Sequence, residues 1–190
     1  ANVDAITLGA ASDIVNATDA VSSATAVATD VITGFTAGAT AGDNIKLSLA
    51  DIKGLTAVTD LVEGDASSVA AGDTVVVETI VKGTPETVAT GDNVLAITGG
   101  TYANLTAVLR DLEAVGGTTG ITLANSPTAA DAFIIVWSDG TDAYISVAAT
   151  DTTNAAFAVD DLSGFNLVKL AGITSVTDGM FVAGNFDFVT

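Results

Sequence analysis

The sequence predicts a mainly β protein built from short strands, with one or two short helices. Three observations lead there. The chain of 190 residues is 49% hydrophobic but only 5% aromatic, and Ala, Val, Ile, Leu, Thr and Gly dominate it, a mixture that favours short strands joined by turns over long helices. Of 23 acidic residues, all but Glu63, Glu78, Glu86 and Glu113 are Asp, which fits poorly inside helices and strands and well in turns and caps. Asp4-Ala5-Ile6 is also followed nine residues later by Asp13-Ile14-Val15, an internal period that points to a repeat architecture.

Along the chain, "AITL", "DIVN", "DVITGF" and "NIKLSLADI" read as short strands separated by "GAAS" and "TAGATAGD" turns. In "SLADIKGLTAVTDLV", Leu49, Ile52, Leu55, Val58 and Leu61 or Val62 recur at near-helical spacing, so a short helix interrupted at Gly54 is expected. "DTVVVETIVKG" is an apolar strand ended by Gly83 and Pro85, and "DNVLAITGG" is another. "TYANLTAVLRDLEAVGG" predicts a helix near 102–115, with Leu105, Val108, Leu109, Leu112 and Val115 on one stripe and Gly116-Gly117 as its stop. "DAFIIVW" and "DAYISVA" flank "SDGT", where Asp139-Gly140 supplies hairpin turn residues. Phe133, Ile135 and Trp137 share one face of the first of these strands and belong to a core or a packing interface. The final stretch contributes two or three further short apolar pieces.

Composition excludes several functions. The formal charge is −18, with only five Lys and Arg, so no basic patch exists to displace counterions from nucleic acid. Without Cys there are no disulfides or thiolate metal sites, and without His the usual zinc ligand, the usual general base and the Ser-His-Asp triad are all missing. No Lys sits in a Ser-x-x-Lys arrangement, and neither "TGGT" nor "VGGTTG" continues into the Lys-Ser/Thr of a phosphate loop. Adjacent Asp160-Asp161 is read as a turn or helix cap rather than a glycosidase pair. No enzyme is expected. No apolar run reaches the about 18 residues of a membrane span, and no basic-then-apolar leader opens the chain.

The nine-residue period fits the repeat G-G-x-G-x-D-x-U-x, whose turns and Asp bind Ca²⁺ in a parallel roll. With Asp13 at the sixth position, Gly9 takes the second, Ala11 the fourth and Val15 the apolar eighth; Asp4 and Ile6 hold the equivalent places one repeat earlier. Leu8 and Ala11 stand where glycines belong. "ATDVITGFTAGATAGDNIKLS" resembles the stretch that follows such rolls in secreted proteins, through Asp30, Ile32, Phe35, Gly38, Asp43, Ile45 and Leu47, with "ATA" inserted in the turn. "GDNVLAITGGTYANL", "DAFIIVWSDGTDAYI" and "LAGITSV…NFDFVT" are similar to the carboxy-terminal regions of the same class. The chain thus resembles the carboxy-terminal region of RTX (haemolysin-type, calcium-binding nonapeptide-repeat) proteins exported by the type I pathway.

That resemblance implies a short degenerate parallel β-roll with capping strands over residues 1–50, Ile6 and Val15 stacking inward on adjacent coils, and a mostly antiparallel β-sandwich over residues 51–190. It implies Ca²⁺ as cofactor, with Asp4, Asp13, Asp30 and Asp43 as ligands, the last in the lengthened turn. It implies type I secretion machinery as partner of the precursor and a secreted or cell-surface location on a bacterium. Asp187-Phe188-Val189 fits the acidic-then-apolar export signal of that class, Thr190 being a departure, and Phe186 and Phe188 are expected to be replaceable without loss of the roll. A start in mid-repeat, without Met, is expected to reflect removed upstream sequence. Two functions follow: a Ca²⁺-stabilised, self-assembling surface-layer or filament subunit whose partners are copies of itself, favoured by positive mean hydropathy at high net charge, or the secretion and folding module of a larger enzyme, toxin or adhesin. A lectin or ice-binding reading has no aromatic platform beyond Trp137, Tyr102 and Tyr144.

Overall fold

The computed structural model describes residues 4–17, 30–40, 42–55, 58–113 and 120–190. Its elements in chain order are β1 (Ala5–Thr7), β2 (Ile14–Ala17), β3 (Asp30–Thr33), β4 (Asn44–Ser48), α1 (Leu49–Lys53), β5 (Asp60–Leu61), β6 (Val77–Val81), β7 (Glu86–Val88), β8 (Val94–Thr98), α2 (Leu105–Leu112), β9 (Ile121–Leu123), β10 (Asp131–Ser138), β11 (Ala143–Thr150), β12 (Leu162–Ala171) and β13 (Phe186–Val189). The chain is mainly β. A large sheet has the order β1-β3-β12-β11-β10-β8-β6, with β5 attached to β10, and a small sheet has the order β13-β4-β2. β7 and β9 form a separate parallel pair.

Successive strands of the opening segment alternate between the two sheets. β1 lies in the large sheet and β2 in the small one; β3 returns beside β1 and β4 beside β2, both in parallel. After the long excursion from α1 to β11, β12 adds beside β3 and β13 beside β4, again in parallel. The result is a roll of three coils. Ile6, Ile32 and Leu170 stand in register on one wall, and Val15, Ile45 and Phe186 on the other.

This arrangement corrects the stacking expected of Ile6 and Val15. A nine-residue unit supplies one strand and one turn, which carries the chain across to the opposite sheet, so two units complete one circuit. Ile6 and Val15 therefore occupy opposite walls of the same coil, and each stacks on the next coil through Ile32 and Ile45. The roll also reaches beyond residue 50, because its third coil comes from residues 162–189. Phe186 and Phe188, 3% and 1% exposed, belong to its core, which corrects the expectation that both can be exchanged without touching the roll.

Residues 51–190 do not form a separate sandwich. Among the described residues, antiparallel ladders are the long β10–β11 and β11–β12 pairs, with isolated antiparallel bridges at Val62–Ser68 and Thr122–Ala156, and β5, β6, β8 and β10 pair in parallel. The reason lies in the apolar runs. All eight residues of β10 are buried, as expected of a strand covered on both faces. Ala132, Ile134 and Val136 face the roll interior and α1, whereas Phe133, Ile135 and Trp137 face a second core beneath α2. Trp137 stacks on Tyr144 at 4.6 Å and donates its indole N–H to Ser146 Oγ.

The local signals explain the remaining elements. Ser48 caps α1, its Oγ accepting the Asp51 N–H, and Gly54 ends the helix. Asn104 caps α2 by accepting the Ala107 N–H, and Val108, Leu109 and Leu112 form its buried stripe. Val115 and Gly116-Gly117, expected at its end, lie outside the described residues. α2 rests on β12 at Gly164, where a Cβ would stand 2.7 Å from the Val147 carbonyl oxygen and 3.2 Å from the Leu105 and Leu109 methyls. In the β10–β11 hairpin, Gly140 adopts φ 93° and Asp139 Oδ1 accepts the N–H of Thr141 and of Asp142. Asp160-Asp161 is a turn, Asp161 Oδ2 accepting the Ala158 N–H.

Candidate functional site: the acidic rungs of the roll

The four Asp residues singled out in the sequence each stand at the entry to a roll strand, and the fold brings them together in two pairs. Asp4 and Asp30 share a rung of the large sheet, Asp13 and Asp43 a rung of the small one. One hydrogen-bond rule governs both. The carboxylate of the later coil accepts the backbone N–H of its equivalent in the earlier coil: Asp4 N–H donates to Asp30 Oδ1 at 2.9 Å, and Asp13 N–H donates to Asp43 Oδ1 at 2.8 Å.

The second carboxylate oxygen closes the turn ahead of the strand. Asp13 Oδ2 accepts the Gly9 N–H at 2.9 Å, and Asp43 Oδ2 accepts the Thr36 N–H at 2.7 Å across the turn lengthened by the inserted residues. Ser12 Oγ donates to the Gly42 carbonyl and ties the two turns together. Charge-assisted bonds of this kind are roughly twice as strong as neutral ones, so the acids hold coil to coil and turn to strand.

Availability for a cation differs among the four. Asp43 is fully buried with both oxygens engaged by backbone donors. The Asp4 carboxylate is exposed and, among the described residues, neither it nor Asp13 Oδ1 receives a hydrogen bond. Among the described residues no three acidic side chains gather at one point, whereas Ca²⁺ takes about six to eight oxygens. The Asp4 carboxylate and Asp13 Oδ1, with Asp30 on the same rung as Asp4, thus suit part of a ligand set that turn carbonyls and water would complete; Asp43 suits turn closure.

Sequence reasoning missed a fifth residue. Asn185, fully buried and in register with Asn44, ties the third coil to the turn of the second: its Oδ1 accepts the N–H of Val182 and of Gly38, and its Nδ2 donates to the Asp43 carbonyl at 2.9 Å. The signal was present in "NFDF", a polar residue leading two alternating apolar ones as in "NIKL". Elsewhere, Glu113 at the end of α2 is 1% exposed; its Oε1 accepts the Leu162 N–H, and its Oε2 has no partner among the described residues. Burial pushes its carboxyl above the usual range, against the pull of the backbone N–H groups of Leu162 and Asp160. Among the described helices none is long and apolar enough to cross a membrane. No protein family, curated protein or solved structure matches this chain.

Proposed function

We propose that the protein is a structural, self-assembling subunit of an extracellular layer or filament at a bacterial surface, stabilised by Ca²⁺ and delivered by type I export. The observation that carries this reading is that, among the described residues, β1 and β2 are the outermost strands of their two sheets at the same coil, and Ile14 of β2 is 66% exposed. An exposed apolar side chain on an outermost strand favours burial against another polypeptide.

Calcium enters through electrostatics. Eighteen net negative charges oppose close association of copies, and an ion held by Asp4, Asp13 or Asp30 would neutralise part of that charge where the rungs are open. The test is electron microscopy of the native material with and without chelator, alongside thermal unfolding against free Ca²⁺. Ordered assemblies that dissolve in chelator, with a melting temperature rising with Ca²⁺ and little restored by Mg²⁺, are expected. Chains that stay dispersed at all Ca²⁺ concentrations overturn the reading.

A further inference from the structure

We infer that Glu113 is a proton-operated clasp: its neutral carboxyl fastens the end of α2 to the start of β12, and its ionisation frees that end and uncovers the core beneath. The clasp stands where α2 stops. The Glu113 N–H donates to the Leu109 carbonyl as the last turn closes, the backbone leaves the helix at ψ 144°, and the side chain is 1% exposed. Its Oε1 accepts the Leu162 N–H at 2.8 Å, joining positions 49 residues apart.

The turn that delivers Leu162 is shaped for this contact. Asp160 holds a left-handed φ of 68°, which Asp tolerates better than most residues, and the Asp161 N–H donates to the Ala158 carbonyl. The N–H groups of Asp160 and Leu162 then both serve the Glu113 carboxyl. Beneath the helix, Leu109 and Leu112 pack with Phe133, Phe157 and Leu162 in the second core. Glu113 is therefore a polar fastening at the rim of an apolar lid.

The surrounding charges decide which form of the carboxyl fits. Burial pushes it above its usual range, the N–H groups of Leu162 and Asp160 pull it back, and the like charges of Asp160 and Asp161 push it further. α2 directs the negative end of its dipole at the same place, and Asp111 on this helix is engaged by the Tyr102 hydroxyl and the Gly83 N–H. β12 opens with Leu162, Ser163 and Gly164, and residues 114–119 contain only Ala, Val, Gly and Thr, so neither segment brings an ionisable side chain. Arg110 alone favours the anion. It is exposed at the rim of a cleft of about 330 Å³ that Glu113, Asp160 and Ser163 also line, where solvent screens it, and it forms no ion pair among the described residues. Oε2 has no partner among the described residues, and a buried unpartnered hydroxyl costs far less than a buried unpartnered charge. Once ionised, the group gains water by moving out through the cleft.

The closed arrangement thus holds the proton more tightly than the open one. Closure is complete below the ordinary carboxyl value of about 4.3 and is lost as pH climbs through the raised value; between the two, each pH unit multiplies the open population by up to about tenfold.

Amide hydrogen exchange of the full chain, followed by NMR from about pH 4 upward, tests the clasp, because local opening exchanges amides without global unfolding. The Leu162 and Glu113 amides should exchange faster than those of Ile45 and Ile145 and respond little to low urea, since a local opening exposes little surface. Their rates, divided by those in Glu113→Gln, whose amide keeps a neutral acceptor for Leu162, should rise by up to about tenfold per pH unit. The carbon chemical shift of the Glu113 carboxyl in the wild-type chain should titrate above about 4.3, a measurement that stands should the variant fail to fold. A carboxyl that titrates at or below that value, a rate ratio flat with pH, or a Leu162 amide that exchanges only as fast as Ile45 at every pH each overturn the clasp.

Discussion

Phe188→Ala tests whether the carboxy-terminal strand is structural. The ring is 1% exposed, and β13 holds it beside Leu47 in the third coil. Truncating a buried Phe to Ala removes its transfer energy and leaves a cavity, about 3–5 kcal/mol together, against a total stability of about 5–15 kcal/mol. In a chain of this size each kcal/mol moves the midpoint by about 2–4 °C, so the melting temperature should fall by about 6–20 °C. The backbone contact from Gly72 N–H to Phe188 O survives the change, which leaves side-chain packing as the cause. Urea unfolding should show a lower midpoint at an unchanged slope. Asp187→Ala, one residue away on the outward face, is the control and should stay within about 0.5 kcal/mol. A Phe188→Ala curve that overlays the Asp187→Ala curve would mean that the tail is an appendage and the third coil does not form.

Asp43→Ala leaves the N–H groups of Asp13 and Thr36 without their acceptor; both donors lie where water can reach them, Asp13 half-buried and Thr36 exposed, so a loss of about 1–3 kcal/mol, the worth of a hydrogen bond to a charged group, is expected by denaturant titration; a loss under about 0.5 kcal/mol would deny the rung its structural part. Burial, aided by the Asp92 charge in the case of Glu78, holds the Glu113 and Glu78 carboxyls above their usual range. With folded values raised, their contribution is complete below the unfolded value of about 4.3 and is lost as pH climbs through the raised values; urea midpoints should therefore decline over that interval, less steeply in Glu113→Gln, and equal slopes would contradict the assignment. Gly64→Ala would place a Cβ 2.1 Å from the Ala89 carbonyl oxygen, and a melting temperature lowered by several degrees is expected; an unaffected one would show that the backbone shifts freely there.

The strands of the first two coils, both helices and the β10–β11 hairpin were legible because their signals are local: alternation, caps at Ser48 and Asn104, and a Gly at a positive-φ turn. The Asp at each strand entry was legible for the same reason, though its bonds to the neighbouring coil were not. What stayed hidden was partnership between distant strands. Nothing near Leu162–Ala171 or Phe186–Val189 preserves the nine-residue spacing, since β12 runs to ten residues and a long connection separates it from β13; their place in the roll is decided by apolar faces finding the uncovered sides of β3 and β4. Parallel pairing of β6, β8 and β10 escaped notice similarly, because a strand buried on both faces shows no alternation from which its neighbours follow. Asn185 was overlooked for lack of a charge.

Placing the third coil at the far end of the chain ties the timing of folding to chain completion. Asp30 pairs with Val168 and Ile45 with Phe186, so the first two coils have no inner neighbour until nearly the whole polypeptide is present. Ladders of such separation form slowly, because loop-closure entropy is lost before the contacts repay it. A nascent chain can pair β1 with β3 and β2 with β4, but the inner edges of β3 and β4 stay uncovered for as long as residues 162–189 remain inside the ribosome.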